Sequence, residues 1–217
     1  MGERAAAGKE DEVGLSAEQL RESLDALAAR ETAIAAALAI SGYPEPRGRG
    51  RGYETLLRTI IGQQISVQAA AAVWNKLAAA VGDTADPARL AAMSEEELRA
   101  AGLSRQKIGY ARSLAQLVAD GAVTLDALPV DDEAAIAQLT QVKGIGRWSA
   151  EIYLLFAEGR PDVWPAGDLA VQEAMGRILG LPTRPSEQAL RELAKGWRPH
   201  RGAMAVFAWH HYQFKPL

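Results

Sequence analysis

The stretch Leu139-Thr-Gln-Val-Lys-Gly-Ile-Gly-Arg-Trp-Ser-Ala150 decides how this chain is read. Two glycines stand one residue apart, and helical patterns flank them on both sides. Gly144 and Gly146 can adopt positive φ, and they carry no Cβ to obstruct the backbone of another molecule. Leu139, Val142 and Ile145 supply the small apolar core that a tight helix–turn–helix needs. The amides of Ile145 to Trp148 then fall at the start of the second helix. There, N–H groups without intrahelical acceptors and the helix dipole favour an anion such as a phosphate. Lys143 and Arg147 add positive charge beside that position. Contacts of this kind fix register on a nucleic-acid backbone without reading its sequence. A Gly-x-Gly turn alone is also compatible with a purely structural role. A Rossmann or P-loop reading fails, because no strand precedes the glycines and no Lys-Ser/Thr follows the second.

Outward from the hairpin the chain reads as helix after helix. Ser16 with Gln19 forms a capping-box pattern, and Leu20, Leu24 and Leu27 share the face that follows. An Ala-rich helix after Glu31 runs to Ser41-Gly42. Pro44, Pro46 and the Gly/Arg alternation to Gly52 then predict a linker or exposed loop. Apolar residues at 53, 56, 57, 60 and 61 have helical spacing that Gly62-Gln63-Gln64 interrupts. A further helix with Val73, Trp74 and Leu77 stops at Gly82. Asp86-Pro87, the Ser94/Glu97 box, Ser104 and Asp131 start the next four. After the hairpin, helices are expected near 147–157, 169–179, 187–194 and 201–212. No alternating β run with hairpin turns occurs, so the fold class is all-α.

The bulk properties narrow the setting. A chain of 217 residues can bury a sizeable core as one domain or two small lobes. It contains no cysteine, which removes disulfides, Cys-ligated zinc and iron–sulfur clusters and fits a reducing, cytoplasmic compartment. No run of about 18 apolar residues and no basic-then-apolar leader pattern is present, so no membrane association is expected. The net charge of −3 is unusual for a nucleic-acid partner. Local surface charge decides such binding, and Arg47 to Arg51 and Lys195 to Arg201 are locally basic. Residues 1–15 lack apolar periodicity and read as a disordered tail. His200, His210 and His211 have no acidic or second histidine partner at ligand spacing, so no side-chain metal site is expected.

The segment LTQVKGIGRWSA resembles the helix-hairpin-helix of the base-excision DNA glycosylase superfamily. IIGQQIS at 60–66, the Gly/Pro loop from Arg160 to Asp168, and WRPHRGAMAVFAW at 197–209 follow in the family's order. The likeness covers roughly residues 50–215 and is strongest to the AlkA-like 3-methyladenine DNA glycosylase II group, without its N-terminal β domain. The resemblance implies a two-lobed helical fold with an active-site cleft between the lobes. One lobe is expected over 52–160, with the hairpin, and the other over 16–51 plus 161–217. It implies a monomer acting on double-stranded DNA that contains damaged bases. It also implies a monovalent cation held by the hairpin carbonyls of Thr140, Val142 and Ile145, with no other cofactor.

Asp168 is the catalytic residue that the resemblance implies. Its position also suits a helix N-cap before Leu169-Ala-Val-Gln, and the two roles are compatible. Departure of a base from C1′ builds positive charge on the sugar, which a fixed carboxylate stabilises; the same group could orient or deprotonate water. Bifunctional relatives carry a lysine nucleophile just after the hairpin, where this chain has Trp148, so the reaction expected is hydrolysis alone. An extruded base needs aromatic faces, for which Trp148, Tyr153, Trp164 and Trp209 are candidates, with Tyr53 and Tyr212 behind them. Core packing is the alternative for each. His200 stands where the family can place a stacking tryptophan, and Ile152 where its pocket tyrosine is expected. The resemblance puts the plug that fills the vacated stack at Gln64, with Gln63 its neighbour. Lys143, Gly144, Ile145, Gly146 and Arg147 are the expected backbone-binding residues. Electron-rich rings suit cationic alkylated bases. A non-catalytic DNA-binding module using the same hairpin is the competing reading; the carboxylate and aromatics after the hairpin separate the two.

Overall fold

The computed structural model describes residues 13–214. The chain divides into two compact units, residues 1–49 with 151–217, and residues 50–150. The second boundary falls inside a helix, where no linker composition could mark it.

The hairpin-bearing unit contains α3 (Tyr53–Gly62), α4 (Val67–Val81), α5 (Pro87–Ala92), α6 (Glu95–Ala100), α7 (Arg105–Ala119) and α8 (Asp132–Leu139). Side-chain caps set most of these starts. Ser66, Asp86, Ser94, Ser104 and Asp131 each accept a backbone N–H of the first turn, supplying acceptors that a helix start lacks. α7 packs against α3, α5 and α6, and Ile108, Ala111, Leu114 and Ala115 form its buried stripe.

α9 (Arg147–Ala157) begins in this unit and continues into the other. The other unit holds α1 (Ala17–Ala28), α2 (Thr32–Ser41), α10 (Leu169–Ile178), α11 (Glu187–Leu193), a 3-10 turn at Ala194–Trp197, and α12 (Arg201–Gln213). Its core joins Leu20, Leu24 and Leu27 of α1 to Met175 of α10 and Phe207 of α12. Ser16 opens α1 through the reciprocal box expected, its Oγ accepting from Gln19 N–H at 3.1 Å while Gln19 Oε1 accepts from Ser16 N–H at 2.8 Å.

Two local expectations are corrected. The tail expected over 1–15 lies outside the described residues up to position 12. Beyond that, β1 (Val13–Gly14) pairs antiparallel with β2 (Gly48–Arg49), and Leu15 is buried. The Gly/Arg stretch is therefore partly a strand and not a free linker. Two-residue strands leave no alternation to read, and the pairing spans positions far apart in the chain.

Candidate active site

Asp168 is the N-cap of α10. Its Oδ1 accepts from Ala170 N–H at 2.9 Å, Val171 N–H at 3.0 Å and the Trp209 indole N–H at 3.2 Å. The same oxygen thus satisfies the helix start and binds an aromatic side chain of α12, which fixes the carboxylate's direction. The residue is partly buried.

The loop that carries it is fastened along its length. Pro161 carbonyl accepts Gly202 N–H at 2.7 Å, and a Cβ at Gly202 would lie 2.6 Å from that oxygen, so only glycine permits the approach. Asp162 takes a two-pronged ion pair from Arg201, at 2.8 and 2.9 Å. Gln172 Nε2 donates to Ala166 carbonyl at 2.8 Å within the buried interior. Arg191 donates to Trp164 carbonyl at 3.4 Å and to Glu151 Oε1 at 3.1 Å. Glu151 is 1% exposed, and such a carboxylate is tolerated in the interior only with a partner.

In the hairpin, Leu139, Val142 and Ile145 are buried as the small core expected. Gly144 has φ +85°, and a Cβ there would meet the Tyr110 ring at 2.2 Å. Gly146 departs from expectation: its φ is not positive, and a Cβ would meet nothing within 4 Å. Ala150 N–H to Gly146 carbonyl, 3.0 Å, is the first bond of the second helix, so the amides of the first turn lie before the ladder begins. Lys143 is exposed, whereas Arg147 places its guanidinium in a fork on Glu133 at 2.8 and 2.5 Å. Arg147 is thus a paired cation, and Glu133 offsets the positive charge expected of it there.

The Gly62–Ser66 turn separates α3 from α4. Gln64 is exposed with φ +57°, left-handed for a residue with a side chain. Gln63 turns the other way, its Nε2 donating to Gly144 carbonyl at 2.8 Å. That bond links it to the hairpin.

The aromatic candidates separate by burial. Trp148 is 46% exposed, on the first turn of α9. Trp209 is partly buried, bound to Asp168 and set 5.5 Å from the Phe156 ring centre. Trp164 is buried and meets Trp197 edge-on, 5.5 Å between centres, so it packs in the core. Tyr153 is likewise buried. His200 sits at the start of α12 with Nδ1 3.1 Å from Ser23 Oγ of α1. Tyr53 is buried, and Tyr212 lies under the Arg177 guanidinium. Among the described residues no cluster of His, Asp or Glu could hold a metal ion, and no helix is long and apolar enough to cross a membrane.

Sequence reasoning missed Glu151, Gln172 and Arg191. Glu151 did leave a signal, a carboxylate inside the otherwise apolar RWSAEIYLLFA of α9. The other two are ordinary polar residues on helices until tertiary contacts give them carbonyl partners.

A glycine hairpin between helices, followed by a fastened loop presenting an N-cap aspartate, defines a helix-hairpin-helix protein. Comparison with known proteins narrows this to one family. The chain belongs to the HhH-GPD superfamily of base excision DNA repair proteins, whose model matches residues 57–199. It is 33% identical over 161 residues to DNA-3-methyladenine glycosylase 1 of Schizosaccharomyces pombe, covering 72% of this chain and 71% of that protein. Among solved structures, a DNA-3-methyladenine glycosidase from Bacillus halodurans matches with TM-score 0.80 at 27% identity, over 88% of this chain and 89% of its own. Schizosaccharomyces pombe 3-methyladenine DNA glycosylase (Mag1), in complex with abasic DNA, matches with TM-score 0.73 at 28% identity, over 87% and 95%.

Proposed function

We propose that this protein is a monofunctional DNA glycosylase that extrudes an alkylated base of the 3-methyladenine type from duplex DNA and hydrolyses its N-glycosidic bond. The observation that carries the reading is Asp168, a carboxylate held by two helix-end amides and the Trp209 indole on a loop fastened to α9, α11 and α12. Cleavage of the C1′–N bond leaves positive charge on the sugar, and a carboxylate already oriented stabilises it without reorganising. A cationic alkylated base takes the bonding electrons and departs neutral, so no acid is needed to protonate it. Water oxygen then bonds to C1′, its proton is lost to the medium, and an abasic site remains.

The exposed Trp148 ring supports a cationic substrate, since an aromatic face attracts positive charge. It also occupies the position at which an amine would form a covalent imine. The hairpin amides and Lys143 are assigned to backbone phosphates, and Gln64 to the vacated place in the stack. The carbonyls of Thr140, Val142 and Ile145 are hard oxygen donors of the kind that suits a monovalent cation, which would supply positive charge beside a phosphate. Ile145 N–H takes one lone pair of Val142 carbonyl at 3.0 Å and leaves the second for such an ion.

The test is a panel of duplexes, each with one lesion, assayed in single turnover with excess protein. Methylated bases should be released fastest, with the strand intact and no adduct trapped by borohydride. Faster release of uracil or 8-oxoguanine overturns the alkylation reading. Release of no base from any duplex overturns the glycosylase reading.

A further inference from the structure

Two loops of the hairpin-bearing unit, the Gln63–Gln64 turn and the Lys143–Gly146 hairpin, lie 81 positions apart between Gln63 and Gly144, yet they are joined directly and through one helix. Gln63 Nε2 donates to Gly144 carbonyl at 2.8 Å. From α7, Lys107 Nζ donates to Ile61 carbonyl at 2.6 Å, holding the last turn of α3 just before the glutamines. Three residues on, the Tyr110 ring fills the space that a Cβ on Gly144 would need. Three further on, Ser113 Oγ accepts Lys143 N–H at 3.1 Å. Residues spaced by three lie along one stripe of a helix, so one side of α7 reaches both loops. The adjoining stripe of Ile108, Ala111 and Leu114 is buried and ties the helix to the unit's core.

The strain in the turn gives this bracing a purpose. Gln64 holds φ +57°, which a glutamine does not keep unless its surroundings impose it. The chain after it is fixed by the Ser66 cap on α4, where Oγ accepts Ala69 N–H at 3.2 Å. The chain before it is fixed by Gln63 and Lys107.

We infer that Gln63, Lys107, Tyr110 and Ser113 make the turn and the hairpin one rigid platform, so that Gln64 is presented for insertion only while the hairpin is in place. Gln63 is then a positioning residue that acts through Gln64. The inference rests on the DNA-binding part of the reading above and not on its chemistry.

Insertion can be read without any catalysis. A duplex carrying a tetrahydrofuran abasic analogue beside 2-aminopurine reports, by fluorescence, whether a side chain has entered the stack. The variants are Gln63→Glu, which has the same shape but no donor for Gly144 carbonyl, Lys107→Met, Gln64→Ala, and Gln63→Glu with Gln64→Ala. Gln63→Glu should weaken insertion by the same factor as Gln64→Ala, roughly ten-fold, and the double variant should be no worse than either, because coupled residues are not additive. Lys107→Met should weaken insertion in the same direction with its melting temperature retained, and it keeps the test open if Gln63→Glu fails to fold. Losses that multiply in the double variant would make Gln63 an independent DNA contact and overturn the inference. So would unchanged insertion in Gln63→Glu or Lys107→Met. Base release by the wild-type protein is measured separately, so a failure of the glycosylase reading is distinguishable from a failure of this one.

Discussion

Under the proposed function, Asp168 has two duties that usually fall to different residues. As an N-cap it needs only an acceptor oxygen, and asparagine serves about as well as aspartate there. As a stabiliser of a sugar cation it needs the charge. Asp168→Asn should therefore keep the melting temperature and DNA affinity near wild type while single-turnover base release falls by at least about 10²-fold. Equal activity would return the chain to a backbone-gripping role. Trp209→Phe separates orientation from charge: it removes the indole donor at 3.2 Å and keeps a ring against Phe156. Release should slow by less than in Asp168→Asn, with binding of an abasic-analogue duplex unchanged.

At the scale of elements, the two hairpin glycines differ in what a side chain would meet. Alanine at Gly144 would combine a left-handed conformation, costing roughly 1–2 kcal/mol, with a methyl 2.2 Å from the Tyr110 ring. Gly144→Ala should lower the melting temperature. Alanine at Gly146 meets nothing within 4 Å, so the fold has room for it. Gly146→Ala should melt near wild type and still bind duplex DNA more weakly, since under the proposed function its methyl would stand where a phosphate backbone approaches the α9 amides. Equal effects on stability from the two substitutions would contradict this division.

The α2–α12 contact has its own pH signature. His211 Nδ1 lies 3.1 Å from Ser41 Oγ. Burial, with Arg177 and His210 nearby, holds its pKa below the ordinary histidine value. The unfolded chain therefore binds this proton more readily than the folded one, and stability rises with pH. The contribution is complete above the unfolded value near 6.5 and is lost as pH falls below it. Thermal melts of wild type and His211→Gln between pH 7 and pH 5 check this. The variant should show the smaller decline.

On the scale of the whole molecule, a net charge of −3 opposes polyanion binding at long range. The proposed function therefore places the affinity in local groups, the α9 amides and Lys143 among them. Binding should still weaken steeply with salt, and Lys143→Ala should reduce the slope by roughly one unit. Arg147→Ala should change the slope less, because Glu133 already pairs that guanidinium at 2.8 Å. Affinities measured from low to moderate salt would distinguish the two.

What the sequence determined by itself was local in origin. Serine and aspartate caps, glycine stops and the 3.6-residue apolar spacing all act within a few positions, so helix limits such as 147–157 were readable from order alone. The hairpin and the cap position of Asp168 were readable for the same reason, whereas the catalytic role of Asp168 was implied only by the family resemblance. Tertiary structure decided which way side chains turned. Gln63 faces Gly144 carbonyl, Arg147 faces Glu133, and Trp164 lies in the core against Trp197, because each partner lies on another element. The β1–β2 pair also depended on segments distant in the chain. A side chain's periodicity gives its face on a helix; the group that meets that face is set only when another element packs against it.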